Sequence, residues 1–346
     1  MKRYLSLTLL TGAALLFAAS GVFAQQGFDQ EPETEKLAQT GMKFLSVSLD
    51  ARSASMGDAI SASNNASATG MFYNPASMAR MNSTFEAVVG QAQWIVDIDY
   101  NYAALSFKPG DGGLGVFGFS LLTVDYGDIT ETIRFDNEAG YLDVGEYSPT
   151  ALAVGFGYAN ALTDRFAVGG NVKYVREDLG ASILRGSTGS FERSENKAST
   201  MAFDFGLIYQ TGYKSLTFGM NARNFSQELT YAEESFELPL TFRIGLSMDM
   251  LDFSSMDQER HALLLSVDTE RPRDFSDMVR LGVEYKFLNR LSLRGGYAFP
   301  QDESGVSFGG GFYQSFGENG GVQIDYSYTD FGVFDKVNRF TFKFAF

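Results

Sequence analysis

Lys173, Arg243, Arg280, Glu284, Arg294 and Asp325 are charged residues that each adjoin a large apolar or aromatic residue. Charges set singly into apolar stretches do one of two things: they line a polar path, or they pair across an enclosed space and hold it rigid. Other candidate chemistries lack parts. A hydrolase built on a nucleophile and base needs a histidine with partners, and the only histidine, His261, follows Arg260 at a strand start, which reads as a structural, interfacial position. Gly113, Gly115 and Gly118 match a dinucleotide fingerprint in spacing, but Phe119-Ser120-Leu121 continue as a strand and not a helix, so these glycines are expected to relieve crowding or curve the strand. Asp125, Asp128, Asp136, Glu138, Asp143 and Glu146 offer hard oxygen ligands for calcium without a position-specific spacing, and read as a solvated acidic loop. No catalytic residue, metal site or cofactor is expected.

The elements that carry the charges alternate with period two. Val279, Leu281, Val283, Tyr285 and Phe287 fall on one face of a strand, and Arg280, Gly282, Glu284 and Lys286 fall on the other. Leu240 to Asp249 and Val322 to Thr329 repeat the arrangement. The last residues, Phe340-Thr341-Phe342-Lys343-Phe344-Ala345-Phe346, do so with phenylalanine at every second position. One wholly apolar face and one polar face describe a strand between lipid and an aqueous lumen.

Segments of this kind are expected at 84–92, 98–108, 113–125, 149–160, 165–177, 199–211, 214–225, 237–250, 260–269, 276–287, 290–299, 304–315, 321–329 and 337–346. Fourteen is even, and closure is required because an open edge would leave unpaired backbone groups in hydrocarbon. Connections at 126–148, 178–198 and 226–236 are long, whereas those at 109–112, 161–164, 212–213 and 288–289 are tight; 251–259 is the exception to that parity. Long loops outside and short turns inside would put both termini in the periplasm. Trp94, with Ile95 and Val96 between the first two strands, is expected to be an aromatic-belt anchor, with a partner contact as the alternative.

Composition agrees. Lys2 and Arg3, the apolar run Leu5–Ala19 and Val22-Phe23-Ala24 before Gln25 read as an export signal over 1–24. Its removal leaves 25 basic against 42 acidic residues, a net charge of −17, which argues against nucleic acid as a partner. Cysteine is absent, so stability must come from hydrogen bonding and packing. Aromatics at 14%, 37 glycines and only 7 prolines suit long membrane strands.

Residues 25–39 are polar and read as a flexible leader; 40–83, rich in small residues, read as short helices and turns packed in a confined space, a plug for the barrel at 84–346. Here Ala68-Thr69-Gly70-Met71-Phe72-Tyr73-Asn74-Pro75-Ala76 resembles the Asn-Pro-Ala signature of the FadL-like superfamily, which implies an all-β fold: a fourteen-stranded antiparallel outer-membrane barrel with an N-terminal helical plug. Phe44-Leu45 and Asp50-Ala51-Arg52-Ser53-Ala54-Ser55-Met56-Gly57-Asp58-Ala59 resemble the opening of the PorV/PorQ branch. That resemblance implies a non-catalytic component of type IX protein secretion, with the translocon or cargo proteins as partners. The alternative is a FadL-like channel for long-chain fatty acids or other hydrophobic small molecules, touched by Phe44, Leu45, Met56, Ile60, Met71, Phe72 and Tyr73 of the plug. Phe342, Phe344 and Phe346 resemble the terminal signal read by the barrel assembly machinery, and outer-membrane lipid is expected around the wall.

Overall fold

Because one face of each strand is apolar and the other carries charge, the chain has a single way to bury its backbone polar groups in a bilayer, which is to close the sheet on itself. The computed structural model describes residues 40–63, 66–110, 112–185, 191–231, 234–300, 305–317, 320–334 and 336–346. The export signal and leader at 1–39 lie outside them.

β1 (Phe85–Gln93), β2 (Asp99–Phe107) and β3 (Val116–Asp125) open the barrel. A hairpin of β4 (Ile129–Arg134) and β5 (Tyr141–Tyr147) forms its own two-stranded sheet. β6 (Thr150–Ala161), β7 (Phe166–Arg185), β8 (Phe191–Gln210) and β9 (Thr217–Ser226) continue the wall, and β10 (Leu229–Tyr231) pairs with β11 (Glu234–Phe236) apart from it. β12 (Thr241–Asp249), β13 (His261–Pro272), β14 (Met278–Phe287), β15 (Leu291–Phe299), β16 (Ser307–Phe316), β17 (Gly320–Asp330) and β18 (Lys336–Ala345) complete it. β18 pairs antiparallel with β1, so fourteen strands close, each next to its neighbour in sequence. Phe346 and Phe85 exchange both backbone hydrogen bonds at the seam.

All fourteen expected strands are present, most with ends within three residues of the expected bounds, and two departures are larger. β7 and β8 are 20 residues each and remain paired through Ala181–Arg185 against Phe191–Glu195, so most of the expected loop 178–198 is hairpin. β12 starts at Thr241, because Pro239 has no N–H to give to a ladder. Side-chain parity is as expected: Leu281, Val283, Phe342 and Ile324 are exposed on the outside, and Arg280, Glu284, Thr341 and Asp325 are buried inside.

Residues before β1 pack within the barrel. A single-turn helix, α1 (Ala51–Ser55), is capped by Asp50, which accepts from Ser53 N (2.9 Å) and Ser53 Oγ (2.7 Å). Three 3-10 turns, Lys43–Ser46, Ala68–Phe72 and Pro75–Arg80, accompany it. The wall makes room for them with glycine: a Cβ at Gly206 would overlap the Asn74 carboxamide, and one at Gly296 the backbone of Met56-Gly57. Thr40 bridges to Glu237 and donates through Oγ1 to Asp274 Oδ2 (2.6 Å), at the long-loop end. Residue 40, the first described, thus lies at the opposite end of the barrel from Phe346; the N-terminus itself, expected on the same side as Phe346, lies outside the described residues.

Candidate functional site

The inward charges meet one another and the plug. Arg52 of α1 donates through Nε to Glu284 Oε2 (2.8 Å) and through Nη2 to Oε1 (3.0 Å), a fork-to-fork pair. Glu284 also receives Arg294 Nε (2.6 Å) and lies 3.2 Å from Lys286 Nζ, while Arg294 Nη1 reaches Asp325 Oδ1 (2.6 Å). Burial alone would lower the Arg52 guanidinium's pKa, but Glu284 beside it holds the value above its ordinary position. A second cluster gathers Arg243 and Arg280 around Glu270, and Arg280 also donates to Gly57 O (3.2 Å). Lys173 joins Asp204 (2.9 Å) and Asn224 Oδ1 (2.7 Å). All six charges singled out in the sequence are therefore ion-paired and buried or nearly so, which is the bracing alternative and not an open charged path.

The Asn-Pro-Ala residues hold the plug from the other side. Asn74 accepts from Ala76 N (3.1 Å) and donates through Nδ2 to Ser61 O (2.8 Å) and Leu207 O (3.2 Å), while Pro75 takes the first helical position, where a missing N–H costs nothing. Tyr73 Oη accepts from Leu49 N (3.1 Å) and Asp50 N (3.0 Å). Burial, with Asp58 and Asp50 nearby, pushes its pKa up to about 12.

Above the plug, at the long-loop end, lies a cavity of about 440 Å³. Phe44, Trp94, Tyr100, Tyr126 and Phe331 give it an aromatic arc, and Arg280, Glu270, Asp274 and Arg339 border it on the polar side. Trp94 sits edge-to-face with Phe331 (4.9 Å, 71°) and Tyr100 (6.2 Å, 67°), under the guanidinium of Arg339 at 5.6 Å. The tryptophan expected to anchor the lipid belt therefore lines the lumen: it continues the inward parity of Glu86, Val88 and Ala92 on β1 and packs onto Tyr100.

Of the seven plug residues proposed as ligand contacts, Phe44 lines this cavity. Leu45, Met71, Phe72 and Tyr73 border a void of about 30 Å³, too small for a ligand beyond water. Met56 and Ile60 pack against Tyr73 in the plug interior. Trp94, Tyr126, Phe331 and Arg339 were not legible as a set, since they come from four separate segments; Tyr100 and Tyr102 carried a signal, as aromatics at the lumen parity of β2.

At the short-turn end a polar vestibule of about 350 Å³ is bordered by Arg52, Lys286, Lys343 and Glu86. Ala54 borders the upper cavity and Arg52 the lower one, so α1, packed against β15–β18, stands between them. His261 meets the Tyr285 hydroxyl through Nδ1 (2.7 Å) at the barrel rim. Among the loop acids, Asp125 accepts from Gly127 N (3.0 Å) and Asp128 pairs with Ser148. Among the described residues, no three acidic or histidine side chains converge as metal ligands.

No protein-family model matches the chain, and no curated protein matches it by sequence. Solved structures match it in fold. The CymD monoaromatic hydrocarbon channel aligns over 87% of this chain and 98% of its own at 14% identity and a TM-score of 0.56. The Pseudomonas putida toluene transporter TodX aligns over 85% and 96% at 15% identity and 0.56, and a Pseudomonas aeruginosa FadL homologue over 86% and 98% at 12% and 0.52. The chain shares the FadL-like fold.

Proposed function

We propose that this protein is an integral outer-membrane channel for small hydrophobic or amphipathic molecules, without catalytic activity. The observation that carries the reading is the aromatic cavity of about 440 Å³ seated between the long loops and the plug. It lies where a molecule arriving from outside would first leave water, and its apolar arc supplies the burial that drives binding. The fold neighbours named as hydrocarbon channels support the same direction. Passage inward then requires displacement of α1, the one turn of helix between cavity and vestibule.

The secretion reading has less behind it. The residues that resemble the PorV/PorQ branch have packing roles here: Asp50 caps α1, Arg52 pairs with Glu284, and Gly57 fits against the backbone of Tyr297. A motif explained by how a plug seats does not by itself point to cargo.

Trp94 is the only tryptophan, so its fluorescence reports on the cavity alone. Titration of the purified protein with toluene and with the larger apolar probe 1-N-phenylnaphthylamine is expected to give a saturable change, and proteoliposomes to take up the bound compound. Absence of saturable change for both probes, together with secreted proteins retained on the purified barrel, would overturn the channel in favour of the secretion role.

A further inference from the structure

Four cations border the upper cavity: Lys43, Arg223, Arg280 and Arg339. Lys43 pairs with Asp274, and Arg280 with Glu270 and Asp58. Among the described residues Arg223 meets no carboxylate within ion-pair distance, and both its terminal nitrogens hold plug carbonyls, Phe72 O at 2.7 Å and Leu45 O at 3.2 Å. Arg339 is different. It is 2% exposed, its Nε donates to Ser48 O (2.8 Å) and its Nη1 to Thr329 Oγ1 (3.0 Å), and among the described residues neither a carboxylate nor any acceptor meets Nη2. A guanidinium carries five N–H donors and a full charge; here two neutral acceptors leave part of the donor fork unfilled, and the charge is balanced only from beyond contact, by Asp58 and Asp50. The fork borders the cavity, and the aromatic wall begins at once beside it, with Trp94 5.6 Å from Cζ and Phe331 packed on Trp94.

We infer that the molecule this cavity selects is a compact aromatic carboxylate, whose acid group accepts from Arg339 while its ring lies against Trp94, Tyr100 and Phe331. The inference rests on the channel reading above and adds the charge and shape of what enters. A carboxylate presents two oxygens to the guanidinium fork, and supplies the contact counter-charge that Asp58 and Asp50 give only at longer range. A planar body fits because charge and ring wall are adjacent, and because the plug, through Phe44, Ala54 and Gly57, closes the cavity below. A neutral hydrocarbon would leave Arg339 as it stands, buried without an anion in contact.

The test compares 4-ethylbenzoate with 4-ethyltoluene, which differ by a carboxylate in place of a methyl, using Trp94 fluorescence of the purified full-length protein near neutral pH. In the native protein the acid is expected to bind at least about tenfold more tightly, as one charge-assisted pair provides. In Arg339→Gln the acid-to-neutral ratio is expected to fall to about one, and in Arg339→Lys, which retains the charge without the fork, to keep part of the preference. Heat-modifiable migration of each variant checks that the barrel has closed. A ratio near one in the native protein, or an unchanged ratio in a folded Arg339→Gln, overturns the head-group assignment while the channel stands. Palmitate binding more tightly than 4-ethylbenzoate overturns the compact ring body. Saturable binding of neither aromatic probe removes the channel reading and this inference with it.

Discussion

Arg52, on a helix of one turn, and Glu284, in the middle of β14, form a two-pronged ion pair across the lumen at 2.8 and 3.0 Å. The pair joins the one α-helix among the described plug residues to the wall, and the two partners are unequal. Without Arg52, Glu284 retains Arg294 and Lys286; without Glu284, Arg52 has no other carboxylate in ion-pair contact among the described residues, while Arg294 keeps Asp325. Breaking a buried pair by stranding a charge costs about 3–5 kcal/mol, whereas losing hydrogen bonds to a charge that stays paired costs about 1.5–3 kcal/mol. Glu284→Ala is therefore expected to destabilise the protein more than Arg52→Ala in detergent thermal unfolding. Equal losses would show that Glu284 acts only through Arg52.

Because α1 separates cavity from vestibule, the same two substitutions have a second readout. Both are expected to raise ion conductance in planar bilayers and sensitivity to large antibiotics, by freeing α1 while the hydrogen-bonded barrel stays closed. Conductance at the native level in a folded Arg52→Ala would mean that Asp50, Asn74 and Tyr73 retain the partition without the ion pair.

Asn74 predicts a sharper contrast. Its carboxamide accepts from Ala76 N and donates to Ser61 O and Leu207 O, so donor and acceptor are both in use. Asn74→Ala loses the cap and the donations, about 1–3 kcal/mol. Asn74→Asp keeps the cap acceptor but turns a carboxylate toward two carbonyls, and is expected to loosen residues 40–83 further despite being nearly isosteric. Hydrogen exchange of the Ser61 and Ala76 regions would rank the two; greater protection in Asn74→Asp than in Asn74→Ala would show the cap to be the dominant contact.

The wall was legible in the sequence because a bilayer imposes one rule at every position: apolar outward, polar or small inward. Val279–Phe287 and Phe340–Phe346 follow it, and their parity survives in the structure. Where the chain leaves lipid the rule lapses. Glu177-Asp178 and Glu195-Asn196-Lys197 put charge or polarity at both parities, so the outer third of the β7–β8 hairpin gave no periodic signal although it is paired. The cavity was illegible for another reason. Trp94, Tyr126, Phe331 and Arg339 become neighbours only when β18 closes on β1, although Trp94 taken singly continues the inward parity of Val88 and Ala92.

Tyr73 makes stability depend on alkaline pH. Its phenol is neutral and buried, with a folded pKa of about 12 against 10.0 for the unfolded chain. The folded state holds the proton more tightly, so the contribution is fully present below pH 10.0 and is lost as pH rises through about 12. Two pH units correspond to roughly 2–3 kcal/mol. Tyr73→Phe is expected to lower stability at neutral pH, since Leu49 N and Asp50 N lose their acceptor, yet to flatten the decline over that alkaline window. An identical alkaline slope in the variant would assign the decline to another tyrosine.

Phe346 is the residue that completes the seam. Its N–H and C=O both pair with Phe85, and its ring lies 5.5 Å from that of Phe85 and 5.9 Å from that of Phe344. Deletion of Phe346 removes two ladder hydrogen bonds at the edge where β18 meets β1, and places Ala345 at the terminus in place of an aromatic. Outer-membrane insertion is expected to fall several-fold in a fractionation assay, with the chain accumulating in a heat-unmodifiable form. Phe346→Tyr keeps the backbone pair and the aromatic ring, and is expected to insert as the native chain does. Phe346→Ala separates the two contributions: it retains both backbone bonds and loses only the ring, so insertion as poor as in the deletion would assign the effect to recognition of the terminal aromatic, and native insertion would assign it to closure of the seam.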